Sequence, residues 1–409
     1  MNTAEEKKPR PLENLRILDF TRVLAGPLAT ALLADLGAEV IKVEPPHGDD
    51  YRSIGPHRNG ESALFTVVNR GKKSLVLDLK QPEALALIEK LVQKVDVVVE
   101  NFRPGVADRL GIGFAQLSAH NPRLVYVSVS GFGQFGPLSE RPAYDVIVQA
   151  MSGIMEATGD PQGPPTLVGE AVSDVVAGLF ASWAILAATL QTQRTGLGQH
   201  VDVAMFDTTL SFLVTSMARY LFTGKPARRV GNRHPLSAPF GVYRAKDGHF
   251  ALAVLNRKLF VSLAEAIGKP ALGSDDTLAT DEQRSAREPE LRALIEVWAA
   301  ALSVDEVVAS LERAGVPAAP IWNMEQALQS PQASARGLLH PVQDERLPGL
   351  RLPTQPVRFN GSAPSVPTRA PALGEHTNEV LTELLGLGLD RLDELRRAGA
   401  FGGPLEPGN

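Results

Sequence analysis

Hydrophobic residues follow two different spacings in the first half of the chain. Short runs rich in Val, Ile and Leu predict buried strands, and the segments between them, with apolar residues every three or four positions, predict helices. The predicted strands are residues 15–20, 39–43, 74–79, 96–100 and 124–130, and the clearest helices are 27–36 and 82–94. This alternation predicts an α/β fold built on a Rossmann-like, doubly wound parallel sheet.

Ligands of such sheets bind beyond the carboxyl ends of the strands. Four loops follow predicted strands on that side and are expected to form the binding region: residues 21–27, 44–50, 101–113 and 131–142. The sequence therefore indicates where to look for a site before any chemistry is considered.

The most apolar stretch is residues 175–190, which follows the sequence GEAVSD at 169–174. It is shorter than a typical membrane span and contains Gly178, so we interpret it as a core helix, buried because it has no polar face. Asp174 lies at its N-terminus, where free N–H groups and the helix dipole favour an anion. Two uses stay open: Asp174 or Ser173 caps the helix, or an ionised Asp174 is a nucleophile toward an acyl group.

The rest of the chain predicts a second domain and a return segment. A hairpin is expected around KDG at 246–248, followed by helices, which indicates a smaller α+β domain. From residue 323 the chain is rich in proline and is expected to return to the first domain through helices at 377–386 and 389–398. The expected division is a flexible tail at 1–13, a large domain at 14–224, a small domain at 225–320 and the return segment at 321–409.

Composition narrows the class of protein. The formal charge of −5 over 409 residues argues against a nucleic-acid binder. The absence of cysteine excludes disulfides, thiolate nucleophiles and Cys-based metal sites, and the eight histidines show no metal-binding spacing, so no metal is expected. No signal peptide is recognised, which predicts a cytoplasmic protein.

Two patterns at the expected ligand face bear on which ligand it binds. GFGQFG at 131–136 matches the dinucleotide-binding pattern, but Pro137 and Pro142 prevent a helix from opening directly on it, so an NAD-dependent dehydrogenase is a weak alternative. The simplest explanation of the basic residues on these loops is that they are solvated surface residues. Such a cluster also suits a polyanionic ligand such as coenzyme A (CoA). They are Lys42, Arg70, Lys72, Lys73, Lys80, Arg103 and Arg109.

A set of short motifs occurs in order along almost the whole chain, from about residue 12 to 390. They are DFTRVLAGP at 19–27, LGAEVIKVEP at 36–45, NRGKKS at 69–74, ENFRPG at 100–105, SGFG at 130–133, RPAYD at 141–145, TGLGQ at 195–199, GVPAAP at 315–320 and LGEHT at 373–377. Together they closely resemble the family III CoA-transferases, the CaiB/BaiF family.

The resemblance implies that Asp174 is the catalytic nucleophile and Asp145 a second acidic residue near it. It implies a mixed anhydride and an aspartyl-CoA thioester at Asp174, CoA and acyl-CoA as substrates with no tightly bound cofactor, and an interlocked homodimer. Residues that fall on CoA-lining positions of the family are Ala25, Leu77, Lys80, Arg109, Leu110 and Met205.

Departures from the family pattern bear on the reaction. The racemases of the family carry a histidine where this chain has Tyr144, and a tyrosine is a poor base near neutral pH, so transfer is favoured and a 2-methylacyl-CoA racemase is the alternative. Leu24 replaces a glutamine and a tetraglycine loop is missing, which disfavours formyl-CoA and oxalate as substrates. A CoA-binding protein without chemistry is a third possibility, which the presence of Asp174 argues against.

For the substrate, a dicarboxylic acid with succinyl-CoA as donor is the expectation. A second carboxylate needs a cationic partner in the site. The candidates for that partner are Arg22, Arg52 and Arg233.

Overall fold

A computed structural model describes residues 9–362 and 365–402 of the chain. The tail expected at residues 1–13 lies outside the described residues as far as residue 8, and residues 11–14 form a turn before the first strand.

The strands are β1 (Arg16–Asp19), β2 (Glu39–Glu44), β3 (His57–Arg58), β4 (Glu61–Ser62), β5 (Lys73–Val76), β6 (Val97–Glu100), β7 (Val125–Ser130), β8 (Gln199–Ala204), β9 (Phe240–Arg244), β10 (His249–Ala253), β11 (Ala318–Pro320), β12 (Leu339–Pro341) and β13 (Arg351–Pro353).

The α-helices are α1 (Ala25–Asp35), α2 (Ala63–Val68), α3 (Pro82–Leu91), α4 (Val106–Arg109), α5 (Phe114–His120), α6 (Asp145–Ser152), α7 (Ile154–Ala157), α8 (Val172–Thr195), α9 (Met205–Phe212), α10 (Val214–Thr223), α11 (Arg257–Ala266), α12 (Pro270–Gly273), α13 (Asp281–Ala286), α14 (Glu288–Ala299), α15 (Val304–Arg313), α16 (Met324–Gln329), α17 (Pro331–Ala335), α18 (Thr377–Leu385) and α19 (Leu389–Arg397). Short 3₁₀ turns occur at Asp50–Arg52, Val92–Lys94 and Asp276–Leu278.

The main sheet has six parallel strands in the order β5-β2-β1-β6-β7-β8. The order places the third, second and first of these strands before the fourth, fifth and sixth, which is the order of doubly wound dinucleotide-binding sheets. The predicted parallel α/β sheet is therefore confirmed. Its sixth strand, β8, pairs with β7 from Val125↔Gln199 to Ser130↔Ala204, a pairing that the sequence pattern did not reveal.

The chain forms two compact units. The first comprises residues 1–152, 168–217 and 331–409 and contains the six-stranded sheet, and the second comprises residues 153–167 and 218–330. The second unit has the antiparallel sheet β11-β10-β9, whose β9–β10 hairpin was predicted, packed on a core that includes Phe250, Phe260 and Leu311.

The C-terminal return segment joins the first unit through its two predicted helices. Val380 and Leu381 of α18 and Leu392 of α19 are buried in the same cluster as Leu18 of β1 and Ile41 of β2. The proline-rich stretch before them also contains the small antiparallel pair β12–β13, which the proline content had concealed.

The long apolar helix α8 is only half buried, which corrects the expectation of a fully buried helix. Ala177, Ala181 and Ile185 pack in the core beside α1 and the sheet, whereas Leu179 and Trp183 are 50% and 66% exposed. The reason is that α1 and the sheet cover one side of this helix. Within the described residues, α8 is also the one helix long and apolar enough to cross a bilayer, yet it builds part of the core.

The first half of α8 lies very close to the start of α1. A Cβ added at Gly178 would lie 2.7 Å from the backbone oxygen of Ala25, so only a glycine allows this approach. Gly178 is one helical turn beyond Asp174, on the same side of the helix. The contact therefore fixes Asp174 next to the loop that follows β1.

We predict that Gly178→Ala destabilises the protein, although alanine is the better helix former by about 1 kcal/mol. The new methyl group would press on a backbone atom, and such overpacking typically costs about 1–3 kcal/mol. Urea unfolding would measure the change, with Ser182→Ala on the same helix as the control that leaves the midpoint nearly unchanged. A midpoint for Gly178→Ala equal to or above that of the wild type would contradict the close packing.

Candidate active site

A cavity of about 220 Å³ lies at the carboxyl ends of the central strands. It is bounded by the loops after β1, β6 and β7 and by the first residues of α8 and α9. β1 and β6 are the neighbouring strands at which the strand order reverses, and ligands of doubly wound sheets bind at this point. Three of the four loops that the sequence predicts as the binding region therefore line this cavity. The fourth, residues 44–50, contributes Asp50.

Asp174 lines this cavity as the third residue of α8. Neither of the two candidates caps the helix, because its N-cap is Ala171, whose own side chain makes no cap hydrogen bond. The hydroxyl of Ser173 is buried and has no hydrogen-bond partner among the described residues. The capping alternative is therefore wrong, and the Asp174 carboxylate is free for chemistry.

Asp145, the first residue of α6, supplies the carboxylate that meets the end of α8. Its Oδ1 accepts a hydrogen bond of 2.8 Å from the backbone N–H of Ser173. Its Oδ2 accepts a hydrogen bond of 2.7 Å from the side-chain amide of Gln149. The two acidic residues implied by the motifs are thus brought to one helix terminus.

Burial, and after it the charge of Asp145, raises the pKa of Asp174 to about 7. The helix terminus was expected to favour the anion, but that effect is about 0.3–1 kcal/mol at exposed sites, which is less than one pKa unit. At Asp174 the effect of burial and of Asp145 on the pKa is therefore the larger one, although the helix terminus still favours the anion. Asp174 has a substantial protonated fraction near neutral pH.

A second cavity, of about 270 Å³, adjoins the first. The ends of β1, β2 and β5 and the helix α4 line it, and it contains three of the predicted CoA-site residues, Leu77, Lys80 and Leu110. Two others, Ala25 and Met205, line the first cavity. Arg109 is exposed on α4 beside Leu110 and belongs to neither lining.

Arg22 and Phe102 form the wall that the two cavities share. The Arg22 guanidinium lies 5.3 Å from the centre of the Phe102 ring and 3.7 Å from the carboxylate of Asp50. The side chain of Asn101 accepts from the Arg22 N–H and donates to the Arg22 carbonyl, at 2.9 and 2.8 Å. These two hydrogen bonds from one side-chain amide fix the loop after β1 to the loop after β6.

Most of the basic residues grouped by sequence hold the scaffold instead of a ligand. Lys42 pairs with Asp49 at 2.8 Å and Lys72 pairs with Asp19 at 2.9 Å, all four side chains being buried. Arg70 and Lys73 are likewise held in ion pairs, with Asp35 and with Glu39, Glu379 and Glu383. Lys80, Arg103 and Arg109 are exposed and have no ion pair within the described part of the chain.

The candidates for binding a second carboxylate also need correction. Arg52 is held by Glu44 through two hydrogen bonds of 2.7 Å, and Arg233 lies in the second unit, 3.7 Å from Glu288. Of the three candidates only Arg22 lines the Asp174 cavity.

Two further arginines do line that cavity, Arg103 and Arg141. The sequence places Arg103 only in a general cationic cluster and gives no role to Arg141. The available signal was their place in ENFRPG and RPAYD, on the loops expected to bind the ligand. Among the residues that the structure describes there is no cluster of potential metal ligands.

Comparisons with known proteins agree on one family. The model of "CoA-transferase family III" matches residues 12–377. An acetyl-CoA:oxalate CoA-transferase from Acetobacter aceti is 44% identical over 361 residues, covering 88% of this chain and 92% of that protein. A succinyl-CoA–D-citramalate CoA-transferase from Chloroflexus aurantiacus is 39% identical over 396 residues, covering 96% and 98%.

Solved structures give the same result. A CaiB/BaiF family protein from Brucella suis is 38% identical to this chain, with a TM-score of 0.82 and coverage of 92% of this chain and 99% of that one. These findings confirm the family inferred from the motifs and the enzyme class that goes with it. The chain belongs to CoA-transferase family III.

Proposed function

We propose that this protein transfers CoA from an acyl-CoA to a carboxylic acid, with Asp174 as the covalent nucleophile. The observation that carries the proposal is the position of Asp174: a half-buried carboxylate, free of capping bonds, in a cavity that adjoins a second one large enough for part of a CoA chain. Such a carboxylate can form and break acyl bonds while water is kept away.

The chemistry proceeds in two matched halves. An oxygen of Asp174 attacks the thioester carbonyl, the C–S bond breaks, and a mixed anhydride and CoA thiolate result. The thiolate attacks the aspartyl carbonyl and displaces the donor acid, which leaves an aspartyl-CoA thioester. The acceptor carboxylate then displaces the thiolate from this thioester, and the thiolate attacks the acceptor's acyl carbonyl to give the new acyl-CoA and free Asp174. Asp174 must be ionised for the first attack, so the rate should rise with pH through about 7.

We propose a short dicarboxylic acid as acceptor and an acyl-CoA with a distal carboxylate, such as succinyl-CoA, as donor. Three guanidinium groups, those of Arg22, Arg103 and Arg141, line the Asp174 cavity, and guanidinium groups bind carboxylates through paired hydrogen bonds. The names of both reported relatives contain a dicarboxylic acid, oxalate or D-citramalate, which supports this class of acceptor and makes oxalate one of the acids to be tested. Their named donors are acetyl-CoA and succinyl-CoA, so only the second of these relatives supports a donor with a distal carboxylate.

We propose that the second cavity holds part of the CoA chain, with CoA as a substrate and not a resident cofactor. Lys80 lies in its lining and Arg109 is exposed beside it, and both are free to meet CoA phosphates. Leu77 and Leu110 supply apolar walls in the same cavity.

Asp174→Ala is expected to lower the transfer rate by about a thousandfold or more, because removal of a covalent nucleophile leaves only binding effects. The formation of new acyl-CoA from succinyl-CoA and a dicarboxylic acid is followed by chromatography. Intact-protein mass spectrometry should show a CoA-sized adduct on the wild type and none on the variant. A variant that keeps more than a few per cent of the activity would refute the assignment.

A separate incubation tests the racemase alternative. A pKa of about 7 also suits a general base, so the value for Asp174 is compatible with racemisation as well. A chiral 2-methylacyl-CoA is incubated with enzyme in D₂O without an acceptor acid. Deuterium entering the α-carbon as fast as CoA is transferred would favour racemisation. We expect no such incorporation, and we expect CoA transfer in a parallel incubation to which a carboxylic acid is added.

Replacing Arg103 or Arg141 with Met should raise the KM for a dicarboxylic acceptor about tenfold or more, since a hydrogen bond to a charged group contributes about 1.5–3 kcal/mol. The KM for a monocarboxylic acid of equal length should stay unchanged. Lys80→Met should instead raise the KM for the acyl-CoA, and Arg391→Met on α19 should alter neither. Equal losses with both kinds of acid would place these arginines on the reacting carboxylate that the two acids share, and would contradict a role in binding the distal carboxylate.

We also propose the interlocked homodimer that the family resemblance implies. Its support here is the apolar face that α8 leaves exposed, and the exposure of Leu197 and Val214 at 67% each. We further propose that a second copy, and not lipid, covers that face, as expected for a cytoplasmic protein. Light scattering after gel filtration should give twice the chain mass, and Trp183→Glu should lower it or reduce the folded yield. A fully active monomer would disprove the dimer.

A further inference from the structure

We propose that Gln149 is a positioning residue of the active site, which holds Asp145 and the segment before α8 and thereby fixes the charge that acts on Asp174. The inference rests on the proposed role of Asp174, and it names a residue that lines neither cavity. Gln149 lies on α6, one helical turn beyond Asp145, and its side chain is fully buried.

The amide of Gln149 connects three separate pieces of backbone and side chain. Its Nε2 donates to Oδ2 of Asp145 at 2.7 Å and to the carbonyl of Glu170 at 3.2 Å. Its Oε1 accepts from the N–H of Val168 at 3.1 Å. The reverse orientation would set the amide oxygen against two acceptors and the NH₂ group against an N–H donor, so the network allows one orientation only.

These contacts fix both ends of the acidic pair. Residues 168–170 lead directly into α8, so the bonds to Val168 and Glu170 set where that helix begins. The bond to Asp145 orients the carboxylate that meets the Ser173 N–H at the same place. Gln149 therefore controls the separation of Asp145 and Asp174 without contacting either cavity.

The chemical type of residue 149 matters as much as its position. An amide donates to Asp145 without adding a positive charge, so the charge of Asp145 is left uncompensated by its nearest partner. A lysine or arginine would neutralise Asp145, and a glutamate would repel it. Glutamine thus keeps the field of Asp145 on Asp174, which acts together with burial on the pKa of that nucleophile.

Other groups face Asp174 from the elements around it. Tyr51, in the 50–52 turn, stays neutral at working pH because burial, and then the charges of Asp174 and its neighbours, raise its pKa to about 12. Glu170 precedes α8, and the cavity lining adds Asp50 and three arginines, Arg22, Arg103 and Arg141. None of these groups is bonded to Gln149 through its side chain, so a change at residue 149 reaches Asp174 through Asp145 and the start of α8.

Gln149→Met, which keeps the volume and removes the three hydrogen bonds, tests the inference. With Asp145 released, the protonation midpoint of Asp174 should fall by about half a pH unit or more. The midpoint is read without substrate from the infrared band of the protonated carboxyl group, as the difference between each protein and its Asp174→Ala counterpart over pH 5–9. The acid limb of the kcat/KM profile for CoA transfer should move in the same direction.

Two controls separate positioning from general stability. Gln355 is also buried in the first unit and donates to the carbonyl of Leu32 at 3.2 Å, so Gln355→Met should lower stability and leave the midpoint in place. In an Asp145→Asn background, Gln149→Met should produce no further shift. Gln149→Asn, which is shorter by one methylene, serves if the Met variant does not fold, and its midpoint should fall as well.

The outcomes are distinct. A folded Gln149 variant whose Asp174 titrates as in the wild type would show that Gln149 is merely structural and would overturn the inference. A wild-type midpoint near that of an ordinary aspartate would overturn it as well. The infrared titration needs no turnover, so it tests the role of Gln149 even if the protein transfers no CoA. Absence of CoA transfer would count against the proposed function only.

Discussion

Two buried ion pairs hold the loop after β1, and the site depends on them. Lys72 donates to Asp19 at 2.9 Å, and Lys42 donates both to Asp49 and to the carbonyl of Thr21, at 2.8 and 2.7 Å. Burial disfavours the charged form of Asp19, but the two lysines and the hydroxyl groups of Thr21 and Thr30 together outweigh it and keep the pKa of this carboxyl below its usual value. Removal of one partner from a buried pair typically costs about 3–5 kcal/mol, so this cluster tolerates little change.

The ion pairs explain how a strained loop is kept in place beside the nucleophile. Val23 has a φ of 69°, which is rare for a β-branched residue, and its N–H donates to Asp49 at 3.1 Å. Asp49 also receives the N–H of Tyr51, so one buried carboxylate orients both the loop and the turn at the cavity edge. Arg22 belongs to the same loop and is bonded to Asn101 in the loop after β6. These contacts place its side chain where the two cavities meet.

The electrostatics of the nucleophile result from opposing effects of unequal size. The terminus of α8 favours a charged Asp174, but burial and the nearby Asp145 oppose it more strongly and bring the pKa to about 7. Asp145 accepts the hydrogen bond from the N–H of Ser173 at the start of α8. This donor of the helix terminus therefore stabilises the charge of Asp145 and not that of Asp174. The raised pKa makes the ionised Asp174 carboxylate more basic and therefore more nucleophilic than an ordinary aspartate, while a fraction of it is protonated near neutral pH.

The sequence by itself determined the parallel α/β sheet, the loops that line the cavities and the family, and it predicted Asp174 as the nucleophile. These follow from local periodicity and from motifs that are contiguous in the chain. Only the tertiary structure decided that β8 forms one edge of the sheet, that α8 has an exposed face, that Lys42 and Lys72 support the scaffold, and that burial together with Asp145 outweighs the helix dipole at Asp174. The physical reason is that burial and charge effects depend on distances in space, and residues 29 positions apart, such as Asp145 and Asp174, give no sign in the sequence that they meet.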